Sequence, residues 1–300
     1  MAEDRTTGDN SERIDDVVDH ERFDVGEVTL HAVTAGPAGG PPVVCLHGFP
    51  EFWYGWRHQV PALADAGFRV VAPDQRGYNR SDRPDGLDAY TLDPLSGDVV
   101  GLLDALGYGD AHLVGHDWGA AVAWHTALHH PDRVRRLVPM NVPHPAAYEA
   151  ALPWNPRQLL RSWYVLSFQF PGASERAWSA ADWRLLRWFV DTSTREGTWA
   201  EPVLDRYREA WSRPGAFSAM LDWYRALVRR EPAKPPSWTV EVPTLVLWGV
   251  ADPYIVPELA DASVEYCADG RLERVESATH WLHHEVPRRV NDCLVEFLPG

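Results

Sequence analysis

Short runs of apolar residues recur along the chain, and longer amphipathic stretches separate most of them. Uninterrupted apolar runs of this length are typical of strands buried on both faces of a sheet. They predict strands at residues 28–33, 43–46, 69–72, 111–114, 136–138, 244–248 and 272–275. Helical spacing predicts helices at residues 60–66, 95–106, 120–129 and 287–298. This alternation indicates an α/β fold with a mostly parallel, doubly wound sheet.

The alternation stops in the middle of the chain. Between residues 144 and 236 no buried strand is apparent, and eight of the 15 tryptophans lie there at helical spacing with Arg and Leu. We therefore expect a helical cap at residues 144–240, inserted into a core formed by residues 21–143 and 241–300. Residues 1–20 are acidic and polar, which predicts a flexible N-terminal tail.

Composition excludes several classes of partner. The 300 residues include 28 Lys and Arg against 43 Asp and Glu, a net charge of −15, which disfavours nucleic acid and anionic membranes. No apolar stretch is long enough to span a bilayer, and three scattered cysteines fit a reducing compartment, so we expect a cytoplasmic protein. No cofactor is expected, because the glycine-rich stretch 36–40 lacks the phosphate-loop pattern. His283 and His284 lack the spacing of metal ligands on one helical face, so no metal site is predicted.

The most specific local pattern is Gly-His-Asp-Trp-Gly at residues 115–119, between a predicted strand and a predicted helix. Small residues two positions before and after a central residue allow the sharp strand-to-helix turn that presents a nucleophile, usually written G-x-S-x-G. Here Asp117 occupies the centre. Its alternative role is to cap the following helix.

Two further segments fit such a turn. The segment His-Gly-Phe-Pro-Glu, residues 47–51, directly follows a predicted strand, where the backbone N–H of Phe49 can join that of Trp118 in an oxyanion hole. Asp252 and His280 each follow a later predicted strand. The order nucleophile, acid, base along the chain is the one that an α/β-hydrolase triad requires.

With these segments the chain resembles the epoxide hydrolases of the α/β-hydrolase fold over roughly residues 22–298. The segments that carry the resemblance are HGFPE (47–51), GHDWG (115–119), FQFPG (168–172), MLDWYRAL (220–227), ADPYIV (251–256) and THW (279–281). The two segments from the expected cap, 168–172 and 220–227, are the most specific, because the fold itself does not need them.

The resemblance implies a role for each of five side chains. Asp117 would be the nucleophile, His280 the base that activates water, and Asp252 the carboxylate partner of His280. Tyr164 and Tyr224 would be the two cap tyrosines that polarise an epoxide oxygen. The chain departs from the family pattern at Thr279, where a glycine is expected before the catalytic histidine. A threonine there could narrow the site of the attacking water.

The aspartate nucleophile itself indicates the reaction class. Attack by Asp117 on an sp³ carbon gives an ester whose carbonyl carbon belongs to the enzyme and can be hydrolysed, whereas serine would give a stable ether. The expected reaction is addition of water to a small apolar or aromatic epoxide, giving a vicinal diol. Trp53, Phe168 and Trp281 are candidates for the wall of the substrate pocket.

Three alternatives stay open from the sequence. A haloalkane dehalogenase also resembles GHDWG and could use the Trp118 indole for the halide, although such enzymes commonly carry Asn where this chain has Phe49. A fluoroacetate dehalogenase would need a cation for the substrate carboxylate, for which Arg184 and Arg187 are candidates. A non-catalytic receptor could share the fold. A homodimer also stays open.

Overall fold

A computed structural model of the chain describes residues 14–299, and one eight-stranded sheet lies at its centre. The strands are β1 (Asp19–Asp24), β2 (Thr29–Ala35), β3 (Pro42–Leu46), β4 (Arg69–Pro73), β5 (Ala111–His116), β6 (Val134–Met140), β7 (Thr244–Gly249) and β8 (Gly270–Val275). Their order across the sheet is β1-β2-β4-β3-β5-β6-β7-β8. All pairs from β4 to β8 are parallel, whereas β2 runs antiparallel to both β1 and β4. The predicted, mostly parallel sheet is confirmed.

The chain is ordered earlier than expected. A helical turn, α1 (Ile14–Val17), and strand β1 replace the end of the predicted flexible tail, of which residues 1–13 lie outside the described residues. Ile14 is almost fully buried, and β1 pairs with β2 along its whole length. The prediction is corrected from Ile14 onward. It failed because the residues of β1, except the half-buried Phe23, are exposed and polar, so no apolar run marks the strand.

The helices of the core flank this sheet. They are α2 (Gln59–Asp65), α3 (Leu92–Leu106), α4 (Trp118–His129), α11 (Glu258–Val264), α12 (Leu282–Glu285) and α13 (Pro287–Phe297). Helix α4 is buried along almost its whole length against β5, β6 and α3. Helix α3 ends at Gly107, whose φ of 76° is the left-handed conformation that favours glycine after a helix. The four helices predicted from spacing are all present.

Between β6 and β7 the chain forms only helices and loops, which we call the helical segment (residues 144–240). Its helices are α5 (Pro145–Ala151), α6 (Pro156–Arg161), α7 (Trp163–Ser167), α8 (Ala173–Asp191), α9 (Glu201–Trp211) and α10 (Ala216–Arg229). Phe168 and Tyr224 bring this segment onto Phe49, in the loop after β3, with ring centroids 5.3 and 5.2 Å from it. The helical segment therefore lies over the carboxyl ends of the parallel strands, where α/β sheets bind ligands. None of the described helices has the length and apolar character needed to cross a membrane.

Candidate active site

The turn from β5 into α4 presents Asp117. Its backbone has φ 49° and ψ −125°, a conformation that non-glycine residues rarely adopt. The flanking glycines make the turn possible: a Cβ on Gly119 would lie 2.0 Å from the Leu46 carbonyl oxygen, and one on Gly115 would lie 2.4 Å from the Gly119 oxygen. Strands β3 and β5 and helix α4 therefore pass too close to one another for any side chain at position 115 or 119. Asp117 is held as a nucleophile elbow requires.

The loop after β3 supplies the first oxyanion donor. The backbone N–H of Phe49 donates a hydrogen bond of 2.8 Å to Oδ1 of Asp117. Gly48 allows this approach, since a Cβ there would lie 2.3 Å from the Cβ of Asp117. The second predicted donor, the N–H of Trp118, belongs to the first residue of α4. Its role stays a prediction.

Asp252 and His280 lie beside Asp117, although 135 and 163 positions separate them from it in the chain. His280 Nδ1 is 2.8 Å from Oδ2 of Asp252, and His280 Nε2 is 3.5 Å from Oδ2 of Asp117. The His280 side chain is 3% exposed, against 17% for Asp117, so Asp117 is the more accessible of the two. The three predicted triad residues therefore contact one another in the order Asp252, His280, Asp117.

Asn141 was not predicted, and it helps to hold the acid. It follows β6 in a left-handed conformation, with φ 51°. Its Nδ2 donates to Oδ2 of Asp252 at 2.6 Å, and the N–H groups of Tyr254 and Ile255 donate to Oδ1 at 2.7 and 3.0 Å. The buried carboxylate is therefore satisfied on both oxygens and fixed towards His280.

The charges of the triad are strongly coupled. Burial disfavours the charged form of His280, but the carboxylates of Asp252 and Asp117 outweigh it and raise the pKa of His280 to about 10. Burial also opposes ionisation of Asp117, yet the hydrogen bond and charge of His280 hold the pKa of Asp117 below its ordinary value. The triad thus carries an imidazolium between two carboxylates near neutral pH.

Both predicted tyrosines face this cluster from the helical segment. The rings of Tyr164 and Tyr224 lie 5.9 Å apart, and Tyr224 packs edge-on against Phe49 and Trp118 at 5.2 Å. Burial, and then the negative charge of Asp117, raises the pKa of each tyrosine well above 10. Both phenols are therefore neutral and able to donate a proton.

The three predicted pocket residues have different positions. Phe168 is fully buried against Tyr224 and Phe49, whose ring centroids lie 4.9 and 5.3 Å from its own, and its place in the pocket wall stays a prediction. Trp281 lies 5.5 Å from the ring of His280, but it is 1% exposed and its indole donates to Ser193. Trp281 therefore packs against His280 and is almost closed to solvent.

Trp53 is not part of this cluster, and its prediction is corrected. The residues after Glu51 form a tight 3-10 turn, Trp53–Trp56, which places the Trp53 ring against His20, Phe52 and Tyr54. There it borders a separate cavity of about 430 Å³ whose lining includes none of the triad or the two tyrosines.

Thr279 is tied to a neighbouring carboxylate. Its hydroxyl and its backbone N–H each donate at 2.7 Å to Glu285, one to each carboxylate oxygen. The hydroxyl is therefore engaged outside the triad.

Behind the triad lies a second buried polar cluster, centred on Glu51 of the loop after β3. Its Oε1 is 2.6 Å from Nε2 of His284 and 2.8 Å from the hydroxyl of Tyr207, and its Oε2 is 3.2 Å from Nδ1 of His116. His116 Nε2 in turn lies 2.9 Å from the carbonyl oxygen of His280. Burial would raise the pKa of Glu51, but His284, His283 and the hydrogen bonds hold it well below its usual value.

This Glu51 cluster does not fit a metal ion, although Glu51, His283 and His284 lie close enough to one another. The guanidinium of Arg57 is 3.0 Å from Nδ1 of His284, and a guanidinium can only donate. Nε2 of His284 must then carry the proton that it shares with Glu51, so neither nitrogen is available as a ligand. The buried positive charge of Arg57 also disfavours a cation here.

Comparisons with known proteins agree with this geometry. A family model described as the alpha/beta hydrolase fold matches residues 41–287. The AB hydrolase superfamily protein YfhM of Bacillus subtilis is 43% identical over 271 residues, which cover 90% of this chain and 94% of that protein. Epoxide hydrolase A of Mycobacterium tuberculosis is 37% identical, with 92% of this chain and 96% of that protein covered.

A crystal structure of the Bacillus megaterium epoxide hydrolase in complex with an inhibitor superposes with a TM-score of 0.85 at 31% identity, covering 93% of this chain and 99% of that one. The predicted fold class is thereby confirmed. The chain belongs to the α/β-hydrolase fold family, and within that family it is similar to epoxide hydrolases.

Proposed function

We propose that the protein adds water to an epoxide and releases a vicinal diol, through a covalent ester on Asp117. One observation carries the proposal: a carboxylate at the elbow lies between an oxyanion donor and an imidazolium, beneath two neutral phenols. The similarity to enzymes named epoxide hydrolases supports the same reaction. In this proposal the helical segment acts as the cap that closes over the substrate.

Ester formation is the first step. Oδ2 of Asp117, the oxygen not held by Phe49, attacks an epoxide carbon, and the bond from that carbon to the ring oxygen breaks. Tyr164 and Tyr224 bind the ring oxygen, and one of them gives it a proton as the negative charge develops. Tyr224 packs against both Phe49 and Trp118, which favours this residue as the donor. Phe168 and Phe49 give the site an apolar wall, which suits an apolar or aromatic epoxide.

Ester formation also prepares the base. In the free enzyme the charge of Asp117 helps to keep His280 protonated. Once Asp117 is an ester that charge is gone, so the pKa of His280 falls. The imidazolium can then return a proton to the tyrosinate left by the first step. A neutral His280 is therefore produced only after the ester exists, which is when a base is needed.

Ester hydrolysis is the second step. His280, oriented by Asp252, takes a proton from water as the water oxygen attacks the Asp117 carbonyl carbon. The carbonyl oxygen is Oδ1, and its developing charge is stabilised by the N–H of Phe49 and, we propose, by that of Trp118. The intermediate collapses as the leaving oxygen takes the proton from His280 and completes the diol. The proton left on the Asp117 carboxyl group then passes to His280, which restores both the carboxylate and the imidazolium.

The alternative reactions have weaker support. A dehalogenase would need N–H donors for the departing halide, and Phe49 stands where such enzymes commonly carry Asn, whereas the phenols of Tyr164 and Tyr224 suit an epoxide oxygen. Arg187 is paired with Glu201, and Arg184 lies exposed on the same helix. Neither is placed to bind a substrate carboxylate beside Asp117. A receptor without turnover would have no need of the complete triad.

Trapping the ester tests the proposal. In His280→Gln the second step is blocked, so intact-mass analysis after exposure to styrene oxide should show an added mass equal to the whole epoxide, located on Asp117 by peptide mapping. The control, Asp117→Asn combined with His280→Gln, should remain unmodified. An adduct formed only with a bromoalkane, lacking the halide, would indicate a dehalogenase. No adduct from either reagent would refute the ester mechanism.

A further inference from the structure

Outside the active site, α4 carries two histidines one helical turn apart. His125 and His129 are four residues apart, so their side chains share one face of the helix, and their ring centroids are 4.0 Å apart. Asp93, in the first turn of α3, faces the same pair, with its Oδ1 3.0 Å from Nε2 of His125. One carboxylate oxygen and one nitrogen from each ring all lie within 4.8 Å of one another.

One of these nitrogens has no partner. Nε2 of His129 is buried and makes no hydrogen bond. Buried polar atoms ordinarily have a partner, so this nitrogen is open to a ligand.

The rest of the cluster suits a cation as well. The Asp93 side chain is 42% exposed, which leaves a path for an ion and room for a water ligand. Unlike the Glu51 cluster, these three residues contact no guanidinium in the described part of the chain.

We propose that Asp93, His125 and His129 form a Zn²⁺ site, with one carboxylate oxygen, two imidazole nitrogens and a water as ligands. Two histidines and a carboxylate are a common ligand set for zinc. Tetrahedral ligands about 2.0 Å from zinc lie about 3.3 Å from one another. The 3.0 Å contact between Asp93 and His125 is already close to that spacing. Only a small movement of His129 is required.

The position of the site indicates its effect. Residues 230–243 connect α10 to β7 and return the chain from the helical segment to the core. Ala233 in this connection donates its N–H to Oδ2 of Asp93 at 2.9 Å. A metal that fixes Asp93 therefore also fixes the acceptor of Ala233, and tightens the connection that follows the helix carrying Tyr224.

Zinc titration of the metal-free protein tests the site. Calorimetry with ZnCl₂ should show saturable binding that weakens more than about tenfold in His129→Gln and in Asp93→Asn, since even outer-sphere partners of a metal cost about that much. His130→Gln, next in the chain and outside the cluster, should bind zinc as the wild type does. Unchanged affinity in both cluster variants, or no binding by the wild type up to about 1 mM, would overturn the proposal.

A second measurement reports on the segment between α10 and β7 directly. Zinc should slow tryptic cleavage after Arg230 in the wild type and in His130→Gln, but not in His129→Gln. Equal protection in all three proteins would place the zinc elsewhere and overturn the assignment. Neither readout uses epoxide turnover, so the result is independent of the proposed reaction.

Discussion

Asn141 and His280 share one acceptor: the side-chain amide of Asn141 and Nδ1 of His280 both bind Oδ2 of Asp252, at 2.6 and 2.8 Å. Asn141 is also hydrogen-bonded to the end of β7. Its Oδ1 accepts the N–H of Gly249, and its Nδ2 donates to the Gly249 carbonyl oxygen at 3.1 Å. Asn141, at the end of β6, therefore fixes the orientation of the Asp252 side chain, which follows β7. Asn141 is a positioning residue that acts through Asp252.

Replacing Asn141 should slow ester hydrolysis. A hydrogen bond to a charged group is worth about 1.5–3 kcal/mol, so we expect Asn141→Gly to lower the rate of the second step by roughly ten- to a hundredfold. Ester formation, which needs Asp117 and the tyrosines, should change little. Intact-mass analysis during turnover should therefore show more alkyl-enzyme than in the wild type.

The comparison with Asn141→Ala separates two effects. Glycine accepts the left-handed φ of 51° at this position, whereas alanine adds backbone strain of the order of 1 kcal/mol. Asn141→Ala should show the same kinetic defect and a lower free energy of unfolding. If the ester does not accumulate in either variant, Asn141 serves stability alone.

Loss of the Tyr224 hydroxyl should slow ester formation. Proton donation by a positioned side chain contributes about 10²–10⁴-fold, and in our proposal Tyr224, which packs against Phe49 and Trp118, is the principal donor. We expect Tyr224→Phe to reduce the single-turnover rate of ester formation by about a hundredfold, Tyr164→Phe by less, and the double variant to form no ester. Ester breakdown should be nearly unchanged.

Tyr254→Phe is the matched control. Its ring lies 5.4 Å from Tyr164 and 5.2 Å from His280, but its hydroxyl donates to the Phe189 carbonyl oxygen at 3.3 Å. It should form the ester at the wild-type rate. Wild-type ester formation in Tyr224→Phe would contradict the assigned role.

Glu51→Gln should destabilise the fold. Glutamine keeps an oxygen for His284 and Tyr207, which both bind Oε1, but it removes the negative charge that strengthens these two hydrogen bonds. It also places an N–H₂ group where Oε2 faces Nδ1 of His116. We expect a loss of about 1.5–3 kcal/mol in the free energy of unfolding at pH 7, measured by urea denaturation. Glu258→Gln, which removes an exposed ion pair with Arg157, should cost less than about 1 kcal/mol.

The pH dependence has a definite sign. The pKa of Glu51 is lowered on folding, so its stabilising contribution is complete above the ordinary carboxyl value of 4.5 and declines as the pH falls towards its value in the folded state. The difference between the wild type and Glu51→Gln should therefore shrink below about pH 4.5. A difference that stays constant down to pH 3 would show that ionisation of Glu51 contributes nothing.

A structural feature is predicted best from the sequence when residues that are neighbours in the chain form it. Gly115, Asp117 and Gly119 are diagnostic together because one backbone turn imposes all three. The apolar runs predict seven of the eight strands, and six of those seven are largely buried, β8 being the exception. Strand β1 was missed because pairing with β2 alone holds its exposed polar residues in place.

Contacts between distant segments could not be predicted in the same way. Asn141 and Asp252 lie 111 positions apart, and no local pattern distinguishes an asparagine that ends a strand from one in an ordinary turn. Trp53 was misplaced because adjacency to the HGFP turn does not determine the direction of a side chain in the 3-10 turn that follows. The spacing of His125 and His129 is visible in the sequence, but the carboxylate that completes their cluster comes from another helix.

The polar character of β1 has a consequence for association between molecules. A sheet edge offers unpaired backbone groups to which another chain can add, and charged side chains along the edge oppose such growth. Here Glu21 and Arg22 lie on the outermost strand, whereas six of the seven residues of β2 are buried. If β1 detaches, β2 becomes an apolar edge ready to accept a foreign strand. The strand that contributes least to the core therefore protects the folded molecule from aggregation.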